Sequence, residues 1–264
     1  MTGSNWDKRV RRVEELLARD PSGSQVLAFC GHLLALQQEM RQTLDLGTPA
    51  AVPISTPLRG QLNVDLAMAW LPRLLDVVQR HGPAKLAQEA DRIRSAGAAQ
   101  QRQMLSDFLQ DGESAQPAPA FFARVLFQPQ AEYEAARRPL PSVYTAAVCP
   151  KCGGGPQLAV LRPEGDGGKR HLTCWLCLTE WEFRRVICPV CEETDHTKLP
   201  RYSPDDPIAV RVEACDTCKN YLKSFDMTVD GLLVPEVDEI ASIALDVWAI
   251  DHGYHKIQLN LLGF

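Results

Sequence analysis

One short pattern, two cysteines separated by two residues, occurs four times between residues 149 and 218. The four copies are Cys149-Pro150-Lys151-Cys152, Cys174-Trp175-Leu176-Cys177, Cys188-Pro189-Val190-Cys191 and Cys215-Asp216-Thr217-Cys218. A gap of two residues lets both thiolates of a pair point at one ion, so each pair supplies half of a tetrahedral four-sulfur site. Because eight of the nine cysteines fall in these pairs, the sequence predicts two four-cysteine metal sites that organise the fold around them.

The intervals between the pairs indicate which cysteines share an ion. Sequential pairing places 21 residues between Cys152 and Cys174 and 23 residues between Cys191 and Cys215. Such matched intervals are typical of two copies of one module, each with strands between its cysteine pairs. Joining the two middle pairs would leave only residues 178–187 between them, and a strand there would hold its ends apart. The expected ligands are Cys149, Cys152, Cys174 and Cys177 at the first site and Cys188, Cys191, Cys215 and Cys218 at the second.

The residues inside and after the pairs fit a rubredoxin-like or zinc-ribbon turn. Pro150 and Pro189 each follow a first cysteine and stiffen the turn. Gly153 permits a positive φ, which turns backbone N–H groups toward sulfur and offsets part of the thiolate charge. Four sulfurs in a tetrahedron suit zinc or a single iron, whereas iron–sulfur clusters usually have other ligand spacings. We therefore expect two mononuclear ions, either structural zinc or iron that exchanges an electron.

Other residues near the pairs receive plainer interpretations. His171 and His196 lie close to cysteine pairs, but four cysteines already fill each ion's coordination, so neither is expected to be a ligand. Trp175 is expected to pack over the ion or to cover an apolar edge. Cys30 lies on the apolar stripe of a predicted helix and is expected to be a buried core thiol.

The first half of the chain has the apolar periodicity of α-helices. Helices are predicted over residues 9–17, 24–44, 64–79, 84–95 and 98–109, with a last helix that includes residues 121–127. Strands are predicted over residues 179–184, 209–214 and 221–226 from their alternating pattern. A helical period returns from Val237, with Pro235 in the first turn.

These elements predict an α+β fold with an N-terminal all-α domain, two tandem metal modules and a C-terminal helix. The expected boundaries are residues 1–140 for the helical domain, 141–187 and 188–234 for two rubredoxin-like or zinc-ribbon modules, and 235–264 for the C-terminal helix and tail. Charge and two prolines in Arg137-Arg138-Pro139-Leu140-Pro141 mark the first boundary.

Composition indicates the class of protein and the cellular compartment. The 264 residues are 45% hydrophobic and 23% charged, which is typical of a soluble globular protein. No run of about 18 apolar residues is present, so we expect no membrane insertion. The first residues lack the apolar run of a signal peptide, which predicts a cytoplasmic protein. Cysteines in that compartment bind metal or do redox work more often than they form a disulfide framework, the competing interpretation.

Charge and motifs limit the possible activities. Residues 149–225 contain 11 Lys and Arg against 11 Asp and Glu, whereas nucleic-acid binding requires a basic stripe. We expect no nucleic-acid partner, and a zinc-ribbon nucleic-acid-binding or transcription-related protein is the alternative.

The sequence has no phosphate loop, zinc-protease motif or nucleophile elbow, and four cysteines leave no open position on either metal for hydrolysis. The protein is therefore not expected to be an enzyme; a redox enzyme with metal-free dithiols is a third hypothesis.

Longer stretches around the cysteines carry a family resemblance. They are Leu172-Thr173-Cys174-Trp175-Leu176-Cys177-Leu178-Thr179-Glu180-Trp181, Val186-Ile187-Cys188-Pro189-Val190-Cys191, Val212-Glu213-Ala214-Cys215-Asp216-Thr217-Cys218-Lys219-Asn220-Tyr221-Leu222-Lys223 and Ile243-Ala244-Leu245-Asp246-Val247-Trp248-Ala249-Ile250-Asp251-His252-Gly253-Tyr254. Over residues 149–264 this combination resembles the formate dehydrogenase accessory proteins of the FdhE type. The helical half is similar in length and character but is less diagnostic.

The resemblance implies a cytoplasmic accessory or maturation factor for a respiratory formate dehydrogenase, an enzyme with a molybdopterin-type cofactor and iron–sulfur clusters. It implies that the factor binds the catalytic subunit of that enzyme, and it leaves homo-oligomerisation open. The eight paired cysteines become ligands of two rubredoxin-like sites, with iron favoured and zinc as the alternative. Glu192 stands where family members often have glycine, which implies an altered turn at the second site and less secure retention of iron there.

Overall fold

The computed structural model describes residues 5–19, 24–45, 57–111, 117–165, 167–204 and 209–263. The chain divides into two compact units, Met1–Arg138 with Leu261–Gly263, and Pro139–Asn260. Helices make up the first unit, and a sheet followed by two short helices makes up the second. The predicted α+β class is therefore confirmed. The domain boundaries at residues 140, 187 and 234 stay predictions about which parts fold independently.

Six α-helices build the first unit within the described residues. They are α1 (Asn5–Arg19), α2 (Ser24–Asp45), α3 (Val64–His81), α4 (Ala84–Ser95), α5 (Gly97–Asp111) and α6 (Pro117–Ala136). Asn63 caps α3, since its side-chain oxygen accepts a hydrogen bond from the backbone N–H of Leu66 at 3.0 Å. Cys30 on α2 is 1% exposed, which confirms the predicted core thiol. All six helices predicted from periodicity are present.

Helix α6 forms the centre of the first unit. All of its residues from Phe121 to Ala131 are buried, including the polar residues Arg124, Gln128 and Gln130. Its polar groups are bonded to neighbouring helices: the Val125 carbonyl accepts from Gln37 at 2.9 Å, and Arg9 pairs with Glu132 at 2.8 Å. Among the helices of the described residues, none has both the length and the apolar character needed to cross a bilayer.

Seven strands in the described part of the second unit form one sheet. They are β1 (Pro156–Glu164), β2 (Gly167–Cys174), β3 (Glu180–Glu182), β4 (Arg201–Tyr202), β5 (Val210–Ala214), β6 (Asn220–Asp226) and β7 (His255–Lys256). Their order is β3-β2-β1-β6-β5-β4, with β7 paired to β6. Strands β1 and β2 form one antiparallel hairpin, and β5 and β6 form another. Parallel pairing of β1 with β6 joins the hairpins, so the two predicted modules share a continuous sheet.

The single C-terminal helix expected from the sequence is two helices in the structure, α7 (Pro235–Ala241) and α8 (Ile243–Asp251). The cause lies in Lys223 on β6. Its ammonium group donates to the carbonyl of Glu239 at 2.5 Å and to the hydroxyl of Ser242 at 3.1 Å. In a continuous helix the Glu239 carbonyl would accept from the N–H four residues later. A side chain inserted into that ladder breaks the helix at Ser242.

Four ionisable side chains meet beneath this break, and each is at most 3% exposed. Lys223 lies 2.6 Å from Asp246 and 3.2 Å from Glu239. Lys256 lies 2.8 Å from Asp246 and also pairs with Glu239. The Tyr221 hydroxyl donates to Asp246 at 2.9 Å. Two cations and two carboxylates thus neutralise each other where they are removed from water, and they fix α7, α8 and β7 to β6.

The two faces of the sheet have different chemistry. One face buries Val212, Ala214 and Tyr221 against Ala249 of α8 and against Tyr254. Hydrophobic burial of this kind stabilises a fold by about 25 cal/mol for each Å² removed from water. The apolar face therefore attaches the C-terminal helices to the sheet.

The opposite face of the sheet carries a row of charges. Arg170 on β2 reaches across to Glu213 on β5 at 2.9 Å. Arg211 lies 3.5 Å from Glu213 and 3.7 Å from Asp226. Because these residues belong to three different strands, the ion pairs connect the first hairpin to the second.

Candidate metal centres

The eight paired cysteines gather into two groups of four. In the first group the sulfur atoms of Cys149 and Cys177 are 3.5 Å apart, and those of Cys152 and Cys174 are 3.3 Å apart. All four ligand atoms lie within 4.8 Å of one another. The β1–β2 hairpin brings this first group together, because one cysteine pair lies before β1 and the other begins at the last residue of β2.

The second group repeats this arrangement around the antiparallel strands β4 and β5, because Cys188 and Cys191 lie before β4 while Cys215 and Cys218 follow β5. The sulfur atoms of Cys188 and Cys218 are 3.6 Å apart, as are those of Cys191 and Cys215. Again all four ligand atoms lie within 4.8 Å of one another. The structure therefore gathers the cysteines in sequence order, first with second pair and third with fourth.

The sulfur spacing fits a tetrahedral ion. Metal–sulfur bonds of about 2.3 Å place the sulfurs of a regular tetrahedron about 3.8 Å apart, whereas a disulfide joins sulfurs at about 2.05 Å. The closest sulfur pairs in the two groups are separated by 3.3 to 3.6 Å, and all eight cysteines are free thiols. Each cluster can therefore hold one metal ion, and both zinc and iron accept this donor set.

All four cysteine pairs share one backbone turn. The residue directly after each second cysteine has a positive φ: 73° at Gly153, 52° at Leu178, 60° at Glu192 and 57° at Lys219. Only Gly153 was predicted from the sequence, because glycine alone signals this conformation. The other three positions were missed, although their shared place in the motif is a usable signal. A left-handed residue other than glycine costs about 1–2 kcal/mol, so the turn is imposed by the surrounding structure.

The prediction of an altered turn at Glu192 is wrong, because this residue has the same positive φ as its counterparts after the other cysteine pairs. The N–H of Glu192 donates to the carbonyl of Cys188 at 3.1 Å, as the N–H of Gly153 donates to that of Cys149 at 2.9 Å. The N–H of Lys219 makes the matching bond to Cys215 at 2.8 Å. These bonds hold the turn in the same form whether or not the residue is glycine.

Backbone N–H groups also point at the sulfurs. Lys151 donates to Cys149 at 3.5 Å, Leu176 to Cys174 at 3.4 Å, and Val190 to Cys188 at 3.4 Å. Each donor lies two residues after its acceptor cysteine. Such contacts disperse the charge of thiolates that ligate a metal, as the sequence predicted for this turn.

Three cysteines of the first cluster are buried, and Cys152 is partly exposed. Cys174 and Cys177 are no more than 1% exposed, and Trp175 is 4% exposed. Gly154 is required here, because a β-carbon at this position would lie 2.8 Å from the Trp175 ring nitrogen and 3.2 Å from the Cys174 sulfur. Trp175 thus packs on the turn of the first cysteine pair. Burial raises the pKa of the Cys174 thiol, so a bound cation is needed to keep this sulfur ionised.

The second cluster lies at the surface among charged residues. Cys191 is exposed and Cys218 is partly exposed. Thr217 in the fourth pair donates to Glu193, just after the third pair, at 2.6 Å. Hydrogen bonds from the Thr217 hydroxyl and the Asp195 N–H lower the pKa of Glu193. Polar contacts exposed to water therefore hold the two halves of this cluster together.

The histidines that the sequence set aside lie outside both clusters. Neither four-cysteine group of the described residues includes His171 or His196. His171 lies on β2, where its Nδ1 is 3.3 Å from the Lys169 carbonyl, and His196 starts a short 3-10 turn.

The fold and its two clusters define a class of protein: a helical unit followed by a sheet unit with two tetracysteine clusters that could each hold a metal ion. Residues 148–185 match the family description "FdhE, central domain", and residues 186–262 match "FdhE, C-terminal domain". These two matches cover residues 148–262 and indicate the FdhE family for this chain.

Individual relatives support this assignment over the whole chain. A Protein FdhE homolog of Aquifex aeolicus is 25% identical over 97% of this chain and 94% of the relative. A Protein FdhE homolog of Pseudomonas aeruginosa is 35% identical over 44% of this chain and 39% of the relative. The crystal structure of the FdhE protein from Pseudomonas aeruginosa superposes with a TM-score of 0.69 at 26% identity. That match covers 99% of this chain and 97% of the other, so it includes the helical unit as well as the sheet.

Proposed function

We propose that this protein is a cytoplasmic accessory factor for the assembly or activation of a respiratory formate dehydrogenase and that it binds the catalytic subunit of that enzyme. The observation that carries the proposal is the pair of complete tetracysteine clusters in a chain that matches FdhE family domains. The residues suit a scaffold, since hydrogen-bonded turns and a continuous sheet hold both clusters in place.

We propose Cys149, Cys152, Cys174 and Cys177 as ligands of one ion and Cys188, Cys191, Cys215 and Cys218 as ligands of the other. The donor set, the sulfur spacing and the N–H···S contacts support one ion in each cluster. Iron is the favoured ion and zinc the alternative. Bound iron would supply one-electron redox chemistry, and bound zinc would supply structural rigidity.

The protein is proposed to act without catalysis of its own. Four sulfurs complete a tetrahedral coordination, so a filled cluster offers no position for a substrate or an activated water. The chain instead acts as a scaffold: its strands and turns position the sulfurs, and the row of charged residues on the sheet connects the two hairpins.

A protein partner fits the surface charge better than nucleic acid does. The cysteine-rich region has equal numbers of cationic and anionic side chains. On the sheet face, Arg170 and Arg211 are paired with Glu213, so part of the positive charge there is already neutralised. Nucleic-acid binding by charge requires an excess of unpaired cations.

A capture experiment tests this function. The tagged full-length protein should retain the formate dehydrogenase catalytic subunit from a lysate of its own organism under reducing or oxidising conditions. A variant with Cys188→Ala and Cys191→Ala should lose the capture. Cys30→Ala is the matched control, because it removes a thiol outside both clusters and should leave capture unchanged. Failure to retain the subunit under any redox condition would refute the proposal.

Absorption spectroscopy with elemental analysis distinguishes the two metals. Ferric iron bound by four thiolates is coloured, and zinc bound in the same way is colourless. Untagged protein purified without oxygen should contain iron and should gain visible absorption when it is oxidised. Stoichiometric zinc without that absorption would contradict the assignment of iron and leave the scaffold role intact.

A further inference from the structure

A cavity of about 290 Å³ lies beside the second cysteine cluster. Two of the cluster's cysteines, Cys188 and Cys215, form part of its wall. Three arginines line it as well: Arg170 from β2, Arg185 from the segment after β3, and Arg201 from β4. Cavities of about 300 Å³ and more are the size at which proteins bind small organic ligands.

The rest of the wall is mainly hydrocarbon. It includes Val186, Leu199, Leu222 and Ile257. Apolar walls with a few convergent polar groups are typical of ligand sites, in which the polar groups set the orientation of the ligand. This cavity accordingly suits a ligand with a charged end and a short carbon body.

Charge in the cavity is unbalanced toward the positive. One carboxylate, Glu213, faces the three arginines. Glu213 is already shared, since Arg170 lies 2.9 Å from it and Arg211, outside the cavity wall, lies 3.5 Å from it. Arg201 is its cross-strand neighbour. Among the arginines and carboxylates of the lining there are therefore two more cations than anions.

Two of the arginines have N–H groups that make no hydrogen bond among the described residues. Arg170 is 4% exposed, yet its Nε–H finds no hydrogen-bond acceptor among the described residues. Arg185 donates only to the Gly168 carbonyl, at 3.4 Å, within the described part of the chain. A buried N–H without an acceptor costs about 1–3 kcal/mol, and an anionic ligand in the cavity would supply acceptors.

We propose that this cavity is a carboxylate-binding site, in which Arg185 and Arg201 bind the carboxylate and the apolar wall receives the attached carbon chain. Arginine forks match carboxylate geometry. A singly charged carboxylate suits the cavity better than a phosphate dianion, because the neighbouring thiolates are themselves negative. The carboxylate belongs either to a free organic acid or to an acidic side chain of a bound protein.

Isothermal titration of the metal-loaded, full-length protein tests the site. The probes are butyrate for a free acid, N-acetyl-glutamate amide for a protein-borne carboxylate, and inorganic phosphate for a general anion, all at one ionic strength. We expect saturable one-to-one binding of at least one carboxylate probe and weaker binding of phosphate. Binding of butyrate alone indicates a free acid, and binding of the glutamate derivative alone indicates a protein side chain.

Substitutions locate the binding. The substitutions Arg201→Gln and Arg185→Gln, made separately, should each raise the dissociation constant of the carboxylate probe about tenfold. This is the loss expected when one charge-assisted hydrogen bond is removed. Arg184→Gln is the matched control, since Arg184 is an exposed neighbour whose side chain does not line the cavity; it should leave binding unchanged. Metal content measured in each variant shows that the second cluster is intact. Absence of saturable binding, equal binding of phosphate, or unchanged binding in both cavity variants would overturn the proposal.

Discussion

The two cysteine clusters share one backbone turn and differ in how far their cysteines are exposed to water. Each cysteine pair is followed by a residue with positive φ, and in both clusters backbone N–H groups point at sulfur. Three cysteines of the first cluster are buried and Cys152 is partly exposed, whereas the second cluster buries only two cysteines and exposes Cys191. The short motif therefore fixes how sulfurs are presented to an ion, and the tertiary structure fixes how far water reaches them.

The largest difference between the clusters should appear when one ligand is removed from each. Cys174→Ala deletes a sulfur from the first, more buried cluster and should abolish cooperative unfolding of the second unit. Structural zinc sites contribute about 10–16 kcal/mol to folding in small zinc domains. Cys215→Ala, at a buried ligand of the second cluster, should also unfold the β5–β6 hairpin. Cys191→Ala should lose one ion and keep the first cluster folded.

Calorimetry with elemental analysis separates these variants. The expected metal content is one ion or less for Cys174→Ala and one ion for Cys191→Ala. Cooperative melting and full metal content in both Cys174→Ala and Cys215→Ala would show that the clusters do not determine the fold.

Chelation should reveal the difference in exposure between the two clusters in the unmodified protein. A chelator reaches the exposed cluster more readily, so metal should leave in two phases of equal amplitude. A difference of about 1.4 kcal/mol in the free energy of local opening makes the second phase tenfold slower. The colour change of a metal-binding dye follows both phases, and the fast phase should be missing in Cys191→Ala. A single phase in the unmodified protein would remove the distinction between the sites.

Gly154→Ala tests the close packing that is particular to the first cluster. The added methyl group would lie 2.8 Å from the Trp175 ring nitrogen, so we expect a loss of about 1–3 kcal/mol in the free energy of unfolding. Gly167→Ala is the control, because no atom lies within 4 Å of its added β-carbon. Denaturant unfolding monitored by tryptophan fluorescence measures both. Equal stability of the two variants would mean that the first turn tolerates a side chain.

Glu192→Gly tests the turn that both clusters share and should have the smallest effect. Glu192 has a positive φ of 60°, a conformation that glycine adopts without the steric cost of a β-carbon, so the substitution should stabilise the folded state by about 1 kcal/mol. Part of this gain is offset, because glycine also raises the conformational entropy of the unfolded chain. Glu192→Ala keeps a β-carbon and should show no gain. Thermal melting of the metal-loaded variants compares them. A gain with alanine equal to that with glycine would assign the effect to the lost charge.

Local features of this molecule were predictable from the sequence, and contacts between distant segments were not. Spacing predicted which cysteines meet, because two residues between ligands constrain the chain directly. Periodicity predicted helices such as α2 and α4. The parallel pairing of β1 with β6 was missed, because strand pairing across some 60 residues leaves no local pattern.

The helix break at Ser242 shows the same limit. The segment from Val237 has a continuous apolar period, and its interruption comes from Lys223, a residue of another strand. Likewise, Arg185 and Arg201 meet in one cavity only because β4 lies beside the segment after β3. Tertiary structure places these groups, so the cavity had no signature in the sequence.

Metal and thiol counting on the untagged protein, purified without oxygen, tests the two-ion interpretation most directly. Native mass spectrometry should give a mass increase of two metal ions per chain, and a thiol reagent under denaturing conditions with a chelator should find all nine cysteines reduced. A metal-free chain with disulfides among the eight paired cysteines would contradict it.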